Sequence, residues 1–220
     1  MRSSGNRRFT QLPETIGTPA GPSVEGASSE LLRQLLQELE TELRDVGVPV
    51  DAAFRPGASA PQLRAAFALA GVAVPDEIVV WFGWHDGVNR PIGNRVLPIF
   101  EMWSSEETIQ KYVNPNGAPK GSEAWQWNPE WLHFVGDNNG IAVSCGSGPE
   151  AAPLIRRISA GLEYGTQAGD TLHQVVSLCT PVTWWIESLR NGWYKWDRRL
   201  HGWDWETKSQ PTFRAIRELS

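Results

Sequence analysis

The chain has 220 residues and a formal net charge of -5, and 40% of its residues are hydrophobic. That is enough for one domain with a buried core, plus a tail. The acidic balance argues against a general nucleic-acid binder, because neutralising phosphates requires clustered lysine and arginine side chains. It suits a basic protein partner, although so mild a charge also serves solubility alone.

Cysteine usage and the N-terminal composition predict a cytoplasmic protein. Cys145 and Cys179 lack the spacing of a disulfide framework or a metal site, so we expect two small buried side chains in a reducing compartment. Arg7-Arg8 is similar to a twin-arginine signal, but polar residues follow it instead of an apolar run. No run of about 18 apolar residues is present, so no membrane span is expected.

Residues 1–28 are rich in glycine, serine, proline and arginine, with isolated apolar residues. Such a segment buries too little surface to offset the entropy lost on ordering. We therefore expect a disordered and dispensable N-terminal tail. Residues 29–220 are expected to form a single domain with a tryptophan-rich C-terminal extension from about residue 193.

Three helices are predicted in the first part of this domain. Leucines recur at spacings of three and four between Leu31 and Val46, which indicates one amphipathic helix. A second helix starts at Ser59, because Ser59 and Gln62 have the spacing of a capping box. A third, nearly all apolar, runs from Pro75 to about Gly83 and should be deeply packed.

A turn is predicted at His85-Asp86-Gly87, where the third helix ends. Arg95–Phe100 is predicted as a strand. Ser104 and Glu107 repeat the capping-box spacing and start a short helix that runs through Tyr112.

The middle of the chain is predicted to form a hairpin. Trp131–Val135 and Ile141–Cys145 are its strands, and Gly136–Gly140 is a turn of residues that tolerate positive φ. Residues 114–130 read as a loop. Leu154–Ile158 and Leu172–Val176 are weaker strand candidates.

A helix with Thr180 as its cap is predicted to end at Asn191-Gly192. A last helix is predicted over Ser209–Leu219. The order of helices, then strands, then helices predicts an α+β fold with a mixed or antiparallel sheet flanked by helices.

Several segments in this order are similar to one known family. Val74–Phe82 carries Pro75 at its start and Trp81 near its end, and Trp84-His85-Asp86-Gly87 follows. The other similar segments are the strand Leu97–Phe100, the capped helix start Trp103–Glu107, the hairpin Asn128–Gly140 with Trp131, Phe134 and Gly140, and the helix Thr180–Gly192. Together they resemble the SUKH superfamily, the SMI/KNR-type proteins, over about residues 29–192.

The resemblance implies an α+β fold with a mixed sheet flanked by helices, and it implies no catalysis and no cofactor. It most often implies a bacterial immunity protein that binds and blocks a toxin domain, frequently a nuclease. The same superfamily includes regulators of cell-wall synthesis, so regulation by binding is the near alternative. One departure is that Ser144 and Cys145 occupy the strand in which the family often carries an aspartate.

The sequence contains no recognisable catalytic constellation. It has no phosphate-binding glycine loop and no Gly-x-Ser-x-Gly elbow. The four histidines lack the spacing of a metal site, and His133 is expected to be packed in or at the rim of the core. A nuclease built on His133 and Asn139 would need another histidine nearby, and a glycosidase pair of Glu101 and Asp137 stays open. We expect no enzyme activity and no metal.

Twelve tryptophans leave a second function open. They suit core packing, a protein interface or stacking on sugars. A carbohydrate-binding module with exposed tryptophans is therefore the alternative outside the resemblance.

The predicted partner site is a set of polar residues expected at one end of the sheet. Its acidic side chains would mimic phosphate and face a basic toxin cleft. The set comprises Asp86, Glu101, Glu106, Glu107, Asp137, Asn138 and Asn139. The alternative is that these are ordinary turn and capping residues, with Glu107 serving only Ser104.

Overall fold

The structure, a computed structural model, describes residues 11–89, 96–97, 101–113, 131–136, 139–145, 155–159, 162–163 and 174–205. The fold is α+β, as the sequence predicts. Its helices are α1 (Ser29–Asp45), α2 (Val50–Ala53), α3 (Ala60–Leu69), α4 (Asp76–Trp84), α5 (Ser105–Val113) and α6 (Cys179–Arg190). Its strands are β1 (Thr15–Thr18), β2 (Gly21–Val24), β3 (Phe54–Pro56), β4 (His85–Val88), β5 (Trp131–Gly136), β6 (Asn139–Ser144), β7 (Ile155–Ser159), β8 (Leu162–Glu163), β9 (Gln174–Val175), β10 (Tyr194–Asp197) and β11 (Gly202–Trp205).

The helix α1 is the centre of the helical layer and packs on both α4 and α6. Its leucine stripe from Leu32 to Leu43 is fully buried. Ser28 caps its start, because the Ser28 hydroxyl accepts a hydrogen bond from the Leu31 N–H at 3.1 Å. The long helix predicted from the leucine spacing is therefore present, and its apolar face organises the core.

Trp81 connects the helical layer to the sheet. Its side chain is 0% exposed. The ring centroid lies 5.5 Å from that of Phe134 on β5 and 6.2 Å from that of Trp185 on α6. The nearly all-apolar helix α4 is therefore deeply packed, as predicted.

The main sheet is antiparallel in the described residues, with the order β5-β6-β7-β8 and with β9 also paired to β7. The predicted hairpin of β5 and β6 is present, with a bulge at Phe134. Its strands extend into the predicted turn, because Gly136 belongs to β5, Asn139 and Gly140 belong to β6, and Gly136 pairs with Gly140. Three two-stranded antiparallel sheets, β1–β2, β3–β4 and β10–β11, lie outside it.

The expected disordered tail over residues 1–28 does not hold for residues 11–28. These residues form the β1–β2 hairpin, and all four residues of β2 are buried. The Val176 N–H donates to the Pro22 carbonyl at 3.0 Å, and the Trp184 indole N–H donates to the Thr15 hydroxyl at 3.2 Å. Tertiary contacts with α6 and β9 order the segment, and its small residues allow a close approach. Residues 1–10 lie outside the described residues.

The turn expected at His85-Asp86-Gly87 is instead a strand, β4. It pairs with β3 through Phe54 opposite Val88 and Pro56 opposite His85. The reason is a partner some thirty residues earlier in the chain, which no local pattern indicates.

The helix α6 does not start as predicted either. Thr180 lies inside the helix rather than at its cap. The Leu178 N–H donates to a Glu77 carboxylate oxygen at 2.7 Å, and the Cys179 N–H donates to the Ser177 hydroxyl at 3.0 Å. A carboxylate from α4 therefore satisfies the start of α6, which removes the need for a local cap.

The tryptophan-rich extension forms the β10–β11 hairpin. Tyr194, Trp196 and Trp203 are buried in the same core as the helices. The Arg198 guanidinium packs against Gly47 at the end of α1. The extension is thus an integral part of the domain. The last predicted helix, the loop over 114–130 and most of the predicted strand over 95–100 lie outside the described residues; Val96 and Leu97 of that strand are buried.

Candidate functional site

The first turn of α5 is the place where the predicted partner residues meet. The Gly136 N–H donates to the Glu101 carbonyl at 2.8 Å, and Met102 forms an antiparallel bridge with Val135. Gly136 is the last residue of β5, so the segment that leads into α5 runs beside the end of β5. The end of β5 therefore lies next to the backbone of Glu101.

Asp86 reaches this place from β4. Its carboxylate accepts hydrogen bonds from the Ser105 N–H at 2.6 Å and from the Ser105 hydroxyl at 3.1 Å. Asp86 therefore holds the start of α5, where unpaired N–H groups and the helix dipole both favour a carboxylate. The contact joins two segments that are nineteen residues apart.

Glu107 belongs to the capping box that its spacing predicts. The Ser104 N–H donates to the Glu107 carboxylate at 2.9 Å, and the Glu107 N–H donates back to the Ser104 hydroxyl at 3.1 Å. Its carboxylate is therefore engaged within the helix start. The capping role that the spacing of Ser104 and Glu107 predicts is therefore present.

Glu106 is the exposed acidic residue of this turn. Its carboxylate accepts a long hydrogen bond of 3.4 Å from the Gln110 side chain, which lies on the same exposed side of α5. Glu101 is half-buried at the edge. Of these carboxylates, Glu106 presents its charge most openly to solvent.

The structure thus brings four of the seven predicted partner residues to one end of the fold, which we call the α5 end: Asp86, Glu101, Glu106 and Glu107. The backbone of Asn139 opens β6 just beyond the turn. Asp137 and Asn138 lie outside the described residues, and so does the side chain of Asn139.

His133 lies on β5, against which α5 packs. Burial, reinforced by the nearby Lys111 ammonium, lowers the pKa of His133 to about 4. The ring is 8% exposed and is neutral at pH 7. It is the packed histidine that the strand position predicts.

The described tryptophans are core or half-buried residues. Of the eight whose side chains the structure describes, five are buried and three are half-buried. The five buried ones are Trp81, Trp103, Trp185, Trp196 and Trp203. These rings pack inside the domain, so they offer no exposed platform for stacking on a sugar.

A cluster around Glu40 fixes the base of β4 and was missed from the sequence. The His85 Nε2 lies 3.3 Å from the Glu40 carboxylate, the Trp84 indole N–H donates to it at 2.8 Å, and Arg44 pairs with it at 2.5 Å. His85, Trp84 and Arg44 lower the pKa of Glu40 to about 2. The imidazole also stacks on Phe54 with ring centroids 4.5 Å apart. These contacts hold β4 against α1 and so position Asp86.

Two further charged contacts between helices were not predicted from the sequence. Arg190 at the end of α6 pairs with Glu38 and with Glu42, the latter at 2.9 Å. Glu77 receives the start of α6. The sequence does carry a signal for the first, because Glu38 and Glu42 fall beside the leucines on the buried face of α1 and need a cation there. No residue pattern near Glu77 indicates its contact with the start of α6, which lies 101 residues later in the chain.

No protein-family model matches the sequence, and the comparison with curated proteins found no match. None of the helices that the structure describes is long and apolar enough to cross a membrane. Among the same residues no group of histidine, cysteine, aspartate and glutamate side chains is arranged to hold a metal ion.

Proposed function

We propose that this chain is a non-enzymatic binding protein that uses the α5 end to occupy a basic surface of a partner protein, in the manner of an immunity protein that blocks a toxin domain. The observation that carries the proposal is the convergence of Asp86, Glu101, Glu106 and Glu107 on one helix start, beside the end of β5. The resemblance of the sequence motifs to the SUKH superfamily supports the same class of function.

The carboxylates of the α5 end divide into two roles. Asp86 and Glu107 are bound to N–H and hydroxyl donors of the helix start, so their charges are largely compensated within the chain. Glu106 stays exposed one residue after Ser105, the residue that Asp86 holds. Two caps therefore fix the turn that presents Glu106. Such preorganisation reduces the entropy lost when a partner orders the contact.

An exposed carboxylate on a fixed turn mainly changes the rate at which the two proteins associate. It attracts a basic surface over about a Debye length, roughly 8 Å at physiological ionic strength, and accelerates association. Acidic side chains also resemble the phosphates that a nuclease cleft binds. The partner is thus a protein domain with clustered lysine and arginine at its active cleft.

The test uses the product of the adjacent upstream gene as the candidate partner. Glu106→Lys is expected to lower the association rate several-fold at low salt, with a smaller effect at high salt. Glu187→Lys is the matched control, because Glu187 is also an exposed helical glutamate, on α6. Equal effects of the two substitutions on the association rate would place the interface away from the α5 end.

Reversing Asp86 is a poor test of binding, since it removes the bonds that hold Ser105. Catalysis is tested separately with purified protein on nucleic acid and glycan substrates, where no turnover is expected. Cleavage that disappears on replacing a residue of the α5 end would overturn the non-enzymatic proposal.

A further inference from the structure

The second half of α3 and the loop after it form an exposed apolar surface. Ala65–Pro75 is a run of eleven residues without a single polar side chain. Leu69 lies in it with 91% exposure, the highest among the exposed large hydrophobic side chains in the described residues. Exposed neighbours are Ala65, Ala68, Gly71 and Ala73.

The inner side of α3 is already satisfied. Leu63 and Phe67 are buried against α4, and the Phe67 ring centroid lies 5.9 Å from that of Phe82. At about 100° per residue, Pro61, Ala65 and Ala68 point away from this side, and Leu69 flanks them. A solvated helix ordinarily carries polar and charged residues on that side. Contiguous exposed apolar surface instead marks a contact with another molecule.

The outer face is also electrically neutral. Arg64 at its flank pairs with Asp76 at 2.5 Å within the same chain. The side chain of Gln62 is engaged by Ser59 at the helix start. A basic partner therefore finds no charge here to attract it, in contrast to the α5 end.

We propose that this face, defined by Pro61, Ala65, Ala68 and Leu69, is a contact between two copies of the chain. Each copy carries a net charge of -5, so copies repel one another wherever acidic surfaces meet. The α3 face lets them touch without adding like-charge repulsion. The proposal does not depend on the function proposed above.

The shape of the face fits a two-fold arrangement. Leu69 is large and lies at one end, whereas Pro61 and Ala65 are small and lie toward the other. Antiparallel pairing of two α3 helices places each Leu69 over the small residues of the other copy, with Ala65 at the two-fold axis. The nine residues from Pro61 to Leu69 are separated by eight steps of about 1.5 Å, so they span about 12 Å of helix. A residue at the axis of such an isologous contact meets its own copy.

The contact is weak, because one short helix per copy contributes. A standard interface buries about 800 Å² on each partner, which a single ten-residue helix face does not reach. Association is therefore reversible and depends on protein concentration.

Sedimentation velocity from micromolar to near-millimolar concentration tests the contact. The wild type is expected to move from one chain of 24.5 kDa toward twice that mass. Ala65→Glu is expected to weaken the association at least ten-fold, since it places two carboxylates at the axis. Leu200→Glu is the matched control, because Leu200 is also an exposed leucine, at 70%, and lies between β10 and β11 rather than on α3.

A single-chain mass at every concentration would overturn the proposal, as would association that Ala65→Glu leaves intact. A monomeric wild type that loses thermal stability through Ala65→Glu would show that another segment of the same chain covers the face, which also overturns it.

Crosslinking supplies an independent readout of the geometry. Ala65→Cys under mild oxidation is expected to yield a disulfide-linked dimer. Burial raises the pKa of the native thiols, that of Cys145 to about 12, so their background reaction is slow. Failure of Ala65→Cys to crosslink at concentrations where the wild type associates would overturn the antiparallel two-fold contact.

Discussion

Gly87 is the residue at which backbone conformation and packing both require glycine. Its φ is +86°, and a Cβ added there would lie 2.8 Å from the Ser104 nitrogen. Residues other than glycine rarely adopt this backbone conformation. In addition, Ser104 at the start of α5 leaves no space for a Cβ. Gly87→Ala is therefore expected to destabilise the fold by about 1–3 kcal/mol, measured by urea unfolding.

Gly17→Ala is the control for this substitution. Gly17 lies on β1 with no atom within 4 Å of an added Cβ and without a positive φ. Its replacement is expected to leave stability unchanged or slightly raised, by restricting the unfolded chain. Equal unfolding midpoints for the two variants would mean that the Gly87 backbone relaxes freely.

At the same scale, the residues that the sequence could place are those with local partners. Ser59 with Gln62, and Ser104 with Glu107, lie three positions apart, so their pairing is visible as a spacing. Asp86 receives its partner from nineteen residues away, and its spacing carries no such sign. For this reason Asp86 was expected to be a solvated turn residue, whereas in the structure its carboxylate binds Ser105 at the start of α5.

Among the elements, α1 and α6 are joined by ion pairs between two buried glutamates and an arginine whose side chain is 27% exposed. Glu38 is 4% exposed and Glu42 is 7% exposed, and Arg190 neutralises both. Arg190→Met keeps the apolar stem but leaves two buried carboxylates without their cation. A loss of about 3 kcal/mol in the free energy of unfolding is expected by chemical denaturation.

The matched substitution is Arg33→Met on α1. Its partner Glu30 and Arg33 itself are more than half exposed, at 68% and 55%. Exposed pairs contribute less than about 1 kcal/mol, so little change is expected. A comparable loss of unfolding free energy in both variants would show that the ion pairs of Arg190 stabilise the fold no more than an exposed pair does.

The helices α4 and α6 meet through Glu77, whose environment makes stability depend on pH. Burial raises the pKa of Glu77 above its ordinary 4.5, against the opposing hydrogen bonds from Ser177 and Leu178. The folded state therefore binds this proton more tightly than the unfolded state. The resulting stabilisation is full below pH 4.5 and is lost as pH rises through the folded-state pKa.

Glu77→Gln removes that titration and keeps an oxygen for the Leu178 N–H. The unfolding free energy of the variant minus that of the wild type is measured at pH 4.5 and at pH 7. This difference is expected to be larger, in favour of the variant, at pH 7. A difference that does not change with pH would show that Glu77 has the same pKa in both states.

The predictability of the elements follows the distance to their partners. The leucine stripe of α1 and the β5–β6 hairpin are indicated by patterns of residues close together in the sequence, and both are present. The β3–β4 pair joins Phe54 to Val88, and the start of α6 depends on Glu77 about a hundred residues earlier. Periodicity and turn composition contain no information about such pairs.

For the whole molecule, both ends of the described chain close over the same helix layer. The β1–β2 hairpin lies on α6, and the β10–β11 hairpin follows α6 and reaches the end of α1 through Arg198. Composition favoured a tail at one end and an extension at the other. Whether a segment is buried depends instead on the surface against which it packs. Glycine, proline and serine in β2 are buried because β2 packs against α6 and β9.

The β1–β2 hairpin should therefore be required for full stability. Removing residues 2–25 keeps Ser28, and with it the cap of α1, but exposes the surfaces that the hairpin covers on α6 and β9. Val24 is 1% exposed, and burying a valine contributes about 1.5–3 kcal/mol. A loss of about 2 kcal/mol lowers Tm by roughly 4–8 °C for a chain of this size. Removing residues 2–10 takes away no described contact and should leave Tm unchanged. If both truncations melt like the full chain, the hairpin contributes nothing to the fold and the expectation of a dispensable tail over residues 1–28 is restored.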